Sequence, residues 1–93
     1  MDMDVKEKYL KYCSDLFDFS VALQKAKERV GKNVLTKEEL SDAKKDMEQA
    51  EAQFLVCCQN IKDEYDATNP KTPEAKGLLE FMNAIHQGHY STI

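Results

Sequence analysis

The stretch "EAQFLVCCQNI", residues 51–61, sets two cysteines side by side. Cys13 is the third thiol of the chain, and His86 and His89 are its two imidazoles. Three thiolates with one imidazole make a structural zinc set, so Cys13, Cys57, Cys58 and His86 are the first residues to test for chemistry. Their spacing argues against it. Neighbours on a helix diverge by about 100°, so Cys57 and Cys58 do not aim at one centre. Zinc motifs keep two or more residues between paired cysteines, and a disulfide between neighbours would strain the helix. The cysteines read instead as small apolar side chains. Cys57 belongs to the seam of a helix, Cys58 to its flank, and Cys13 packs opposite.

The other reactive side chains do not form a site in sequence. His86 and His89 are three apart, but no carboxylate or thiol near them completes a metal set. Ser14 and Ser20 have no histidine at nucleophile–base spacing. Asp15 with Asp18, and Glu48 with Glu51, are i, i+3 carboxylates on faces expected to be solvated, whereas acid–base work needs burial. There is no Gly-rich phosphate loop, and Arg29 is the sole arginine where phosphate chemistry in a helical bundle wants several. The chain therefore reads as no enzyme, with no metal and no cofactor expected.

What must position these residues is helical. Gly (3), Pro (2) and Trp (0) are scarce and charged residues reach 32%, a balance that favours helix over strand. Val5, Tyr9, Tyr12, Leu16, Phe19, Leu23, Ala26 and Val30 recur at steps of four and three, a heptad stripe. A second stripe, Leu10, Cys13, Phe17 and Val21, widens the apolar arc past half the circumference, which calls for two neighbouring elements. Gly31 ends this helix. Thr36 with Glu39 is a capping box opening the next one, whose stripe runs Leu40, Ala43, Met47, Ala50, Phe54, Cys57, Ile61. Pro70 and Pro73 break the pattern. Thr72 caps a third helix with Ala75, Leu78, Phe81, Met82 and Ile85 on one face.

The expected fold is all-α: a long antiparallel two-helix hairpin with a shorter third helix packed on its lower half, a three-helix bundle. The helices are expected at about 4–30, 37–66 and 73–87, with Gly88 as a stop and 88–93 a loose tail. The hairpin should be about 40 Å long at 1.5 Å per residue. Tyr9, Tyr12 and Phe19 fall on the seam, which makes them core and not a base-stacking platform.

At 93 residues the chain is one domain. The formal net charge of −4 makes nucleic acid an unlikely ligand by composition. The opening "MDMDVKEKYL" lacks the apolar core of a signal peptide, no run approaches the ~18 apolar residues of a membrane span, and three cysteines make no disulfide framework. A cytoplasmic setting without membrane contact is the expectation.

Charge divides along the hairpin. Residues 21–45 carry seven Lys or Arg against four acids, and 46–66 carry six acids against one Lys. The basic arm, Lys25, Lys27, Arg29, Lys32, Lys37, Lys44 and Lys45 around Val34 and Leu35, is the candidate surface for a partner protein with an acidic or apolar groove. Val21, Leu55 and Val56 are the candidates for self-association into a homodimer. The function expected is that of a small protein-binding module, an adaptor, inhibitor or chaperone-like subunit acting through a face of the hairpin. The alternative is nucleic-acid or anionic-surface binding through the basic arm.

Overall fold

The computed structural model describes residues 5–32 and 34–90. Three helices follow in order: α1, Val5–Val30, α2, Lys37–Ala67, and α3, Pro73–Tyr90. There is no strand among the described residues. The expected architecture is therefore the observed one: α1 and α2 form the hairpin and share the longest interface, and α3 packs on both. Asp4, expected to open α1, and residues 91–93 of the expected tail lie outside the described residues.

The local signals explain the boundaries. Thr36 is the N-cap of α2 and its hydroxyl accepts from the Glu39 amide at 3.1 Å. Thr72 does the same for α3, accepting from the Ala75 amide at 3.1 Å. Each bond satisfies one of the amides that the first turn leaves without a helical partner. At the other end of α2, the Thr68 amide reaches the Glu64 and Tyr65 carbonyls, and its hydroxyl donates to the Glu64 carbonyl at 2.8 Å. The Tyr9 hydroxyl lies 3.4 Å from that same Thr68 hydroxyl, tying the start of α1 to the end of α2.

The core is one cluster. Leu16, Leu23, Phe54, Ile61 and Met82 are fully buried, and Tyr9, Cys57, Cys58, Ala75 and Leu78 complete it. These are the heptad positions of all three helices, and burying them is what holds two long helices that would be marginal alone. No polar side chain is buried among the described residues, so the core holds no costly unpaired group.

Helix α3 differs from expectation. It does not stop at Gly88 but continues to Tyr90. Gly88 does not adopt the left-handed backbone that would make it a glycine C-cap. The extra turn carries His89 onto Ser20 and Lys27, so α3 reaches further up the hairpin than the lower half. A second difference concerns the second stripe of α1. Cys13 and Val21 are half-buried, but Leu10 and Phe17 stay 60% and 57% exposed. α3 covers one edge of that stripe and leaves the other open.

The molecule is elongated. Its radius of gyration is 16.0 Å, where a compact domain of this length would have about 12 Å. It exposes 6836 Å², whereas a compact monomer of this mass would expose about 5,500 Å².

Candidate functional site: the open grooves of the bundle

The two adjacent cysteines are structural. Cys57 and Cys58 are 6% and 3% exposed and belong to the core cluster. Burial pushes the Cys57 thiol up to about 11, with Cys58 and Asp15 adding to it, and burial raises Cys58 and Cys13 as well. A nucleophilic or metal-binding thiol needs the opposite shift. Among the described residues, no three His, Cys, Asp or Glu side chains converge on a metal position. His86 instead stacks on Phe54, ring centroids 6.2 Å apart.

One pair overturns the reading that the serines lack a histidine. The Ser20 hydroxyl lies 2.7 Å from Nε2 of His89, across 69 residues of sequence. The extra turn of α3 creates this contact, so spacing along the chain could not reveal it. A Ser–His pair invites comparison with a nucleophile and its base. The third group decides against that role. Lys27 Nζ sits 3.4 Å from Nδ1 of His89 and donates to the His89 carbonyl at 3.1 Å. An ammonium beside Nδ1 makes that nitrogen the acceptor, so Nε2 carries the proton and donates to Ser20. No lone pair then faces the hydroxyl. Desolvation, followed by the Lys27 and His86 charges, holds His89 below its usual value, and a cation where a triad has its carboxylate opposes imidazolium formation. Ser20, Lys27 and His89 form a latch that fastens the end of α3. Phe54 lies beneath it, 5.0 Å from the His89 ring, and Tyr90 packs on His86 at 4.7 Å with Lys27 5.0 Å from its ring.

This latch changes the basic arm. Lys27 is consumed by α3, and Arg29 bonds Asp46 across the hairpin at 2.7 Å. Lys25, Lys32, Lys37, Lys44 and Lys45 are exposed, with Val34 85% exposed at the tip and Leu35 half-buried. Lys44 and Lys45 are neighbours on α2 and point about 100° apart. Seven cations that share a stretch of sequence therefore do not share a face.

The self-association set is likewise divided. Val21 lines a groove between α1 and α3 with Ala84, Ile85 and Gly88. Val56, 59% exposed, lines a different groove between α1 and α2. Leu55, 40% exposed, is one residue away from Val56 and so turned about 100° from it. The large apolar residues left uncovered on α1 are Val5, at its start, and Leu10 and Phe17, of which the last two belong to the stripe the expectation had assigned to the cover of the third helix.

Two open surfaces result. The hairpin face lies between α1 and α2, away from α3. Tyr12, Phe19, Ala52 and Val56 form its apolar floor, Gln53 and Asn60 its amides, and Asp15 its charge, around a groove of about 380 Å³. It continues upward over Ala22, Ala26, Gln49 and Asp46. The second surface lies between α1 and α3. Its lower part is lined by Leu10, Cys13, Gly77 and Phe81 between Lys6 and Glu74, and its upper part by Val21, Ala84 and Gly88. No described helix is long and apolar enough to cross a membrane. Comparison with protein-family models, with curated proteins and with solved structures found no match.

Proposed function

We propose that this protein is a non-catalytic binding module whose hairpin face takes an amphipathic helix of a partner protein. The observation that carries this reading is the uncovered groove between α1 and α2. Small residues, Ala22, Ala26 and Ala52, let a helix approach closely, while Tyr12, Phe19 and Val56 offer apolar contact. A helix laid along the groove would complete a four-helix arrangement of ordinary geometry.

Charge selects the kind of helix. Asp15 lines the groove, and Asp18 and Asp63 stand on exposed positions of the same two helices, while Asp46 at the upper end is already paired with Arg29. The fitting partner is cationic on the flanks of its apolar stripe, because like charges opposite these carboxylates would be repelled. An adaptor, inhibitor or chaperone-like role in the cytoplasm accords with such a surface. The reading through the basic arm alone is weaker, since Lys27 and Arg29 are already engaged within the chain.

The test is titration with a designed Leu/Lys amphipathic helix, followed by fluorescence anisotropy. Saturable binding is expected, weakened at least tenfold by Val56→Glu and by Asp15→Lys. Unchanged affinity in both variants would sink the hairpin-face reading. Binding of duplex DNA with steep salt dependence, lost on Lys32→Glu with Lys37→Glu, would favour the basic tip.

A further inference from the structure

We propose that the α1/α3 face joins two copies of this chain into a parallel two-fold dimer. This surface is separate from the hairpin face and does not depend on its role.

The first argument is apolar exposure. Leu10 and Phe17 are 60% and 57% exposed and stand seven residues apart, on one side of α1. They form a ridge that no other described residue covers. Beside it runs a trough on α3. A Cβ built on Gly77 or Gly88 meets nothing within 4 Å, and Ala84 lies between them.

The second argument is register. Leu10 and Gly77 line the lower part of the groove, and Val21 and Gly88 the upper part. α1 and α3 run parallel, both antiparallel to α2, so Phe17 falls level with Ala84. At each of these levels a large residue on α1 neighbours a small one on α3. A two-fold axis along the helices sets the α1 of one copy over the α3 of the other at the same height. Leu10 then meets Gly77 of the second copy, Phe17 meets Ala84 and Val21 meets Gly88. Ridge enters trough twice, which is the self-complementarity that an isologous interface requires.

The third argument is area. From Lys6 to Gln24 the face is about 27 Å long and about 20 Å wide. Two copies would cover roughly 1,100 Å², just above the ~1,000 Å² that a specific interface needs. An interface at this lower end of the specific range suits a weak, concentration-dependent dimer, and it presents two hairpin faces pointing away from each other.

The experiment is molar mass by light scattering behind a sizing column, from about 1 to about 500 µM. Wild type should move from monomer to dimer mass across that range. Phe17→Glu should raise the dimer dissociation constant at least tenfold, and so should Gly77→Phe, which fills the trough where the monomer has open space. Val56→Glu, on the hairpin face, should leave the mass curve unchanged, so loss of peptide binding and loss of dimer are read apart. Helicity by circular dichroism guards against unfolding, and Leu10→Lys reads the same ridge if Phe17→Glu loses it. Monomer mass at every wild-type concentration would overturn the proposal. So would a dimer that survives Phe17→Glu and Gly77→Phe, or one that Val56→Glu abolishes.

Discussion

Replacing Gly77 by alanine should make the folded chain more stable. Gly77 lies inside α3, in its second turn. Glycine in a helix interior costs about 1 kcal/mol relative to alanine, because the unfolded chain gives up more backbone freedom there. The usual reason to keep it is close packing or a left-handed backbone. Neither holds here, since a Cβ at this position meets no atom within 4 Å and no glycine has positive φ. The full helix-propensity gain of about 0.8–1 kcal/mol should therefore appear, with little added burial. For a domain of this size it should raise Tm by about 4–8 °C. The assay is thermal and urea unfolding well below about 1 µM, under the range over which the proposed dimer would form, with the urea slope unchanged. A Tm that falls or does not move would refute the reasoning and mean that Gly77 is not in open helix. The same change is expected to be felt less at Gly88, in the last turn of α3. If glycine costs stability in the monomer and makes no intrachain contact that requires it, its role lies in what approaches the trough.

The latch and the thiols carry the remaining predictions. His89 has its pKa lowered by burial, Lys27 and His86, so the unfolded chain takes up a proton at higher pH than the folded one. Stability should be full above the ordinary histidine value of 6.5 and fall as pH drops through the folded value; urea midpoints against pH should show this slope, and His89→Gln should flatten it. Cys57 has its thiol raised from 9.0 to about 11, so the folded chain keeps a proton that the unfolded chain releases. Stability should decline between those two values, and a thiol reagent at pH 8 should modify Cys57 only after urea unfolds the chain. Fast labelling of Cys57 in native protein would contradict its burial.

Much of the fold was legible because its signals are local. The stripe from Tyr9 through Leu23 names the buried face of α1, and the stripe from Ala43 to Ile61 names that of α2, including Cys57 as a core residue. Thr36 and Thr72 mark two helix starts through bonds made within three residues. Gly88 misled for a physical reason: a glycine permits a left-handed stop but does not impose one, and packing of His89 and Tyr90 on Phe54 favours continuing the helix instead. The Ser20–His89 bond, 69 residues apart, left no trace in spacing. Nor could the charge count of the arm show that Lys27 and Arg29 already have partners inside the chain.

Periodicity, caps and the proline turn thus specified three helices and which stripe of each turns inward. The tertiary structure decided how far α3 climbs, which half of the second stripe it covers, and which side chains remain outside. Helix faces follow from backbone repeat, a property of neighbours in sequence. Coverage depends on the relative height and rotation of packed helices, set by many weak contacts between distant residues. That is why the core was readable in advance, whereas the exposed Leu10–Phe17 ridge and the open hairpin groove were not.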